Sequence, residues 1–289
     1  MKALYKYLLR SLYVLPILLL TACEDLISDV DAPVSSPKLV VNAVLIPEAP
    51  DTEVYLFLST PLYTPHQSGN LDTVSNAVVI ISSGNQQVTI PFDESSQCYR
   101  IEAGLFPVIA GQEYSLLITT PSGYRAEASC TIPADSPPAP EVTARTVTEE
   151  YGNLSVSYSF RFRDIIGEGH YYATAMLTSL KDEFGNIYPA FDPGFDRGER
   201  YSSDAHRDGE YFNFKTSSYY EGVGQKTEFM AWIAVTDRNY YMYHRSVSSF
   251  EGEDPFSEPV PVFTNIKGGL GYFGAARGQF HILEDPGQN

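Results

Sequence analysis

The sequence is poor in the residues from which most protein chemistry is built. Its 289 residues include three cysteines, five histidines, four methionines and one tryptophan. Basic residues are also scarce, with 19 Lys and Arg against 36 Asp and Glu, a formal net charge of −17. Nucleic acid is therefore excluded as a partner, because its phosphates must be met by Lys and Arg. No H-E-x-x-H, no Cys/His pair at metal-ligand spacing and no nucleophile elbow occurs. His66, His170, His206, His244 and His281 are scattered along the chain, and the expectation is a protein that is not an enzyme. Long apolar runs are missing too. The uncharged run at residues 12–20 is nine residues, well short of the about 20 that a helix needs to span a bilayer. Aromatics are plentiful instead: 21 Tyr, 16 Phe and 43% hydrophobic residues rule out a disordered chain.

The short apolar run has a specific setting. Lys2, Lys6 and Arg10 precede it, and Leu20-Thr21-Ala22-Cys23 follows it, the order of an export signal over residues 1–22. The last four residues resemble the bacterial lipobox. That resemblance implies a mature chain beginning at Cys23, which would carry diacylglycerol on its thiol and a palmitate-type acyl chain on its amine. No other cofactor is expected. Three acyl chains anchor far better than one, at about 0.8 kcal/mol per buried CH₂. Loss of the basic signal leaves a mature chain near −20, which anionic lipid would repel, so the lipid must do the anchoring. Glu24-Asp25 resembles a short acidic surface-export tag and points to the cell-surface side of the outer membrane; a periplasm-facing protein is the alternative.

Two cysteines remain after acylation, Cys98 and Cys130. Exported proteins can keep disulfides, so a bridge between them is open. Cys130 alternates in phase with Ala126 and Ala128, and Cys98 with Arg100, which favours two separate thiols.

Periodicity assigns the rest. Residues 23–37, with Asp29, Asp31, Pro33 and Pro37, read as an acidic tether behind the acylated cysteine. Strand-like runs follow at 38–46, 53–59, 77–82, 87–92, 99–102, 113–119 and 125–132, with turns at Ser83-Gly84-Asn85 and Pro121-Ser122-Gly123. They predict a β-sandwich over 38–133. Pro137, Pro138 and Pro140 mark a linker at 134–141. A second sandwich is expected over 142–289, where Leu154, Val156, Tyr158, Phe160 and Phe162 alternate with polar residues. One helix interrupts it at about 237–251, with Asp237 as N-cap, Tyr240, Tyr243, His244, Val247 and Phe250 at helical spacing, and Gly252 as the stop. The fold class is thus mainly β, two sandwiches with one short helix.

Two resemblances refine this. Ala77–Ile80 with Gly111, Tyr114 and Leu116 is similar to transthyretin-like modules, one form of the immunoglobulin-like sandwich. Farther on, Asp254-Pro255-Phe256-Ser257-Glu258-Pro259 and Asn265-Ile266-Lys267-Gly268-Gly269-Leu270-Gly271-Tyr272-Phe273-Gly274 resemble the closing motif, at 254–278, of an outer-membrane lipoprotein family known as domain of unknown function 4249. The lipobox, the Pro37-Lys-Leu-Val-Val41 opening strand, the Pro-rich linker and the aromatic helix occur in the family's order. The resemblance implies a neighbour, a TonB-dependent transporter, and no catalytic residues.

Three constellations could carry chemistry. Gly269-Leu-Gly271-Tyr-Phe-Gly274 satisfies G-x-G-x-x-G, but it lacks a βαβ context and reads as close strand packing; the following 278–282 reads as strand or tail. Asp192, Asp196, Asp204 and Asp208 crowd a Gly-rich loop and are weak Ca²⁺ candidates, because Arg197, Arg200 and Arg207 interleave with them. Tyr240, Tyr241, Tyr272 and Phe273 form a candidate protein interface, since aromatic anchors with few charges mark interface centres. Trp232 is out of phase with Phe229, Ala231 and Ile233, and glycan stacking is a lesser alternative.

The expectation is a non-enzymatic outer-membrane lipoprotein, an accessory or binding subunit of a TonB-dependent transporter in nutrient uptake, with its ligand unknown. The alternative is a stand-alone, adhesin-like surface binder of glycan or peptide. Cys23→Ala should abolish fatty-acid labelling and release the protein from membranes. Labelling that survives the substitution would sink the lipoprotein reading.

Overall fold

The computed structural model describes residues 36–60, 72–150, 153–181, 184–221, 226–250 and 261–284. Residues 1–35, which hold the signal, Cys23 and most of the tether, lie outside the described residues, as does the 251–260 part of the closing region. The described residues within Lys38–Ser59 and Gly69–Asn289 belong to one compact unit. Among the described residues, no helix is long and apolar enough to cross a membrane.

Period-2 alternation decides the local structure. In β1 (Leu39–Leu45), Leu39, Val41, Ala43 and Leu45 are buried on one face while the residues between them turn the other way. The first region continues with β2 (Asp51–Leu58), β3 (Asp72–Thr73), β4 (Val78–Ser83), β5 (Gln86–Ile90), β6 (Phe92–Asp93), β7 (Cys98–Glu102), β8 (Glu113–Thr119) and β9 (Arg125–Thr131). Beyond the prolines come β10 (Glu141–Glu150), β11 (Asn153–Arg163), β12 (Tyr171–Lys181), β13 (Ile187–Phe191), β14 (Phe195–Arg197) and β15 (Tyr201–Ser203). The chain ends in β16 (Tyr211–Thr216), β17 (Tyr219–Glu221), β18 (Lys226–Thr236), the helix α1 (Arg238–Ser248) and β19 (Leu270–Ile282). The mainly β class expected from the sequence is the class observed. Asp237 caps α1 as expected, accepting the Tyr240 N–H at 2.8 Å. The last turn closes earlier than predicted, where Ser249 N–H donates to Arg245 O; Gly252 lies outside the described residues.

Two aromatic-rich cores lie between sheets. The first joins Leu39, Val41, Leu56 and Tyr99 of one sheet to Val79, Ile81, Tyr114 and Ile118 of the β5-β4-β8-β9 sheet. The second packs Phe160, Phe162, Phe212 and Phe214 against Tyr172, Phe229 and Ile233. Its rings stack closely, Phe160 on Phe214 at 5.0 Å and Phe162 on Phe212 at 5.1 Å.

The stretch 134–141 divides two cores but not two sheets. One large sheet runs β13-β12-β18-β19-β1-β2-β7-β6 and takes strands from both sides of the linker. Its joint is β19. Residues Leu270 to Ala275 pair in parallel with Val40 to Leu45 of β1, and Ala276 to Ile282 pair antiparallel with Thr236 to Met230 of β18. Glycine makes the parallel half feasible: Gly271 has φ +89, and a Cβ there would stand 2.0 Å from Val41 O. The 278–282 stretch, open between strand and tail in the sequence, is the end of this strand.

The bridge left open by the sequence is corrected to two free, buried thiols, Cys98 on β7 and Cys130 on β9, in different sheets. Cys130 belongs to the first core, whereas Cys98 lies 3.2 Å from Ser96 Oγ, outside that cluster. Burial pushes the Cys130 thiol well above its ordinary range, which makes it inert.

Two glycines separate the cost of backbone strain from that of lost pairing. Gly84 also has positive φ but open space around its Cβ position, so Gly84→Ala should cost about 1 kcal/mol. Gly271→Ala must push β19 off β1 and should cost more than about 3 kcal/mol. Equal losses in thermal unfolding would show that the β1–β19 approach is looser than described.

Candidate functional site

The aromatics between α1 and β19 pack inside the molecule, whereas Phe250 beyond the helix end is exposed. Tyr241 and Tyr272 are buried, Phe273 is fully buried in the first core, and Tyr240 is packed over β19. Gly274 is the reason the helix can sit so close, since a Cβ there would meet Tyr240 N and Cβ at 3.0 Å. Tyr243 stacks on Tyr272 at 4.4 Å, His244 lies 4.2 Å from the Tyr240 ring, and Tyr241 lies 4.8 Å from Tyr171. The expected interface of Tyr240, Tyr241, Tyr272 and Phe273 is therefore corrected: these side chains clamp α1 and β19 to the sheet. Burial raises the Tyr240 and Tyr272 hydroxyls and holds the His244 imidazole down to about 4, so the cluster is neutral at ordinary pH.

Asp237 is the polar pin of this clamp. Its Oδ1 accepts the N–H of Tyr240 at 2.8 Å and of Ala275 at 3.0 Å, while its own N–H donates to Ala275 O at 2.9 Å. One carboxylate thus caps the helix and holds the strand. Burial pushes it up to about 6, against the opposing pull of those N–H groups.

The acidic loop does not converge. Asp192 pairs with Arg200 at 2.6 Å, Asp196 accepts from Ser217 Oγ at 2.8 Å, and Asp208 accepts Gly167 N–H at 2.9 Å. Asp204 instead lies in a cluster with Asp164 and His170 that was not anticipated. Its Oδ2 accepts the N–H groups of Gly169 and His170 at 2.7 and 2.9 Å. Asp164 accepts Tyr172 Oη at 2.7 Å and Gly209 N–H at 2.8 Å. The set Asp192, Asp196, Asp204, Asp208 is thus corrected as a Ca²⁺ candidate: among the described residues its members bind separate partners, and two buried carboxylates tie the loop to β12.

An apolar groove of about 680 Å³ lies beside the second half of β19, within the usual range for a binding cleft. Trp232 on β18 stands directly opposite Phe280 on β19, and its ring lies against Gly278, where a Cβ would come within 2.4 Å of Cε2 and Nε1. Phe280 is 56% exposed and Ile282, on the same face, 54%. Across the groove stand Ile46, Glu48, Ala49, Ser136 and Pro137. Arg277 braces the two sides, with Nε 3.2 Å from Glu48 Oε1 and Nη1 donating to Ala134 O at 2.7 Å. The sequence signalled only Trp232, through its phase. Phe280, Arg277 and Glu48 were missed because the pairing of β19 decides what faces the groove; the Gly278-x-Phe280-x-Ile282 alternation was the available clue.

The family model described as Domain of unknown function (DUF4249) matches residues 26–279. The solved structure of a candidate carbohydrate binding protein from Bacteroides uniformis ATCC 8492 is similar at 10% identity and a TM-score of 0.16, over 70% of this chain and 90% of that one. No curated protein matches the chain.

The Asp237 pin has a pH signature. Its folded carboxyl titrates near about 6 against an ordinary 3.8, so the fold favours the neutral form. That contribution is complete below the ordinary value and is lost as pH rises through about 6. Asp237→Asn keeps a capping acceptor and removes the titration. The variant should therefore gain on the wild type in melting temperature as pH is raised across this window. A difference that stays constant with pH would overturn the assignment.

Proposed function

From the premise that the chain belongs to the DUF4249 family, we propose that it is a non-enzymatic, lipid-anchored binding protein of the outer membrane. It serves as accessory subunit to a TonB-dependent transporter in nutrient uptake. The observation that carries the reading is the groove beside β19, an aromatic-lined cleft held between the turn after β1, the linker and the large sheet. The reading is supported by the use of Asp164 and Asp204 to bind loop amides and by the packing of His244 among tyrosines. The lipobox at Cys23 supplies the anchor, and the acidic tether supplies a reach of about 20 Å. The alternative, a stand-alone surface binder, uses the same groove without a transporter.

Co-purification from native membranes in mild detergent separates the two. The lipidated chain should bring down a TonB-dependent transporter above the background of other outer-membrane proteins. A chain recovered without it, but still holding a small ligand or polymer, would favour the stand-alone binder.

A further inference from the structure

The strand β19 changes partners halfway, and the exchange leaves one of its edges open. Asp237 N–H donates to Ala275 O at 2.9 Å and Leu283 N–H to Phe229 O at 2.8 Å, which fixes the phase of the β18–β19 ladder. Odd-numbered residues of this half turn their N–H and C=O toward β18. Neighbouring residues on a strand point their backbone groups in opposite directions, so Gly278, Phe280 and Ile282 turn theirs to the other edge. That edge belonged to β1, but β1 ends at Leu45, opposite Ala275. Among the described residues no strand continues in its place; the groove lies there instead.

We propose that this edge takes an extended peptide segment of another protein chain, added as a strand beside the second half of β19 in line with β1. The inference rests on the binding reading above and names its ligand class. Three features select a peptide. The exposed backbone groups recur at alternate residues, about 6.8 Å apart, which is the spacing of another strand and not of sugar hydroxyls. The sheet face beside the slot carries Trp232, Phe280 and Ile282, a bed for alternate apolar side chains. The charge of the slot is balanced, Arg277 being paired with Glu48, inside a chain of net charge −17. Neutral or basic segments with alternating aliphatic or aromatic residues are therefore favoured, and acidic ones are repelled.

The test begins with selection of peptides from a random phage-displayed library on the lipidated full-length protein in detergent. Peptides with alternating apolar residues should be enriched. A selected peptide resynthesised with N-methyl groups on alternate amides should bind at least about tenfold more weakly in one phase and almost normally in the other, since only one edge of an added strand pairs with β19. This arm uses the wild-type protein and needs no variant to fold. On the protein side, Phe280→Pro deletes an N–H on the open edge without touching the β18 ladder, where proline is tolerated. It should weaken binding at least about tenfold beyond Phe280→Ala, which removes the ring alone. Peptide binding indifferent to both N-methylation and Phe280→Pro overturns strand addition. Failure to enrich any peptide, together with glycan-array binding that Trp232→Ala abolishes, makes the occupant a glycan. A concentration-dependent dimer broken by Phe280→Pro would place a second copy of the chain in the slot. In the last three cases recovery of the transporter still stands or falls independently, so failure here is distinct from failure of the accessory-protein reading.

Discussion

The parallel pairing of Leu270–Ala275 with Val40–Leu45 is the contact on which the rest of the structure depends. It joins segments near opposite ends of the chain, and such a contact repays its loop-closure entropy only when much else forms with it. Much else does. Phe273 and Ala275 enter the first core from this strand, while a few residues later β19 completes the sheet over the second core. The edge of β19 away from β1 is also satisfied without a strand. The Asn265 side chain donates to Phe273 O at 2.8 Å and accepts its N–H at 3.0 Å, and at Ala275 the Asp237 carboxylate accepts the N–H while the Asp237 backbone N–H donates to the carbonyl. Side chains thus stand in for a missing neighbour, and the backbone amides they satisfy are buried ones that would otherwise be costly.

The helix depends on the same strand. Gly274 lets Tyr240 lie on the β19 backbone, and the rings of Tyr240, Tyr243, His244 and Tyr272 fill the space between helix and sheet. Tyrosine suits this place because each ring buries a large apolar area and leaves a hydroxyl for the margin. The same property makes tyrosine common at interfaces. Composition alone therefore cannot distinguish a helix clamped by tyrosines from a helix offering them to a partner.

Ionisable groups are used chiefly as fasteners. Asp164, Asp204 and Asp237 each accept backbone N–H groups from a loop, a helix start or a strand. Arg277 fastens β19 to the linker and to Glu48. These bonds hold the irregular parts of the chain to the sheets. They leave the space beside Gly278–Ile282 as a built cleft with backbone groups facing it.

Period-2 alternation in single segments was enough to determine the mainly β class and most strands, and helical spacing with a capping residue was enough for the Asp237 cap. The pattern is local: Val156, Tyr158, Phe160 and Phe162 are buried in sequence and structure alike, because a strand puts every second side chain on one face. The glycines of 268–274 were legible as a place of close backbone approach, though not against which strand. Only the tertiary structure decided that β19 bridges both regions, that Tyr241, Tyr272 and Phe273 are interior, that the acidic loop binds its own amides, and that Trp232 and Phe280 line an open edge. The physical reason is that periodicity says which residues share a face, whereas burial and an unpaired edge depend on which distant strand lies alongside, and that is settled by non-local pairing.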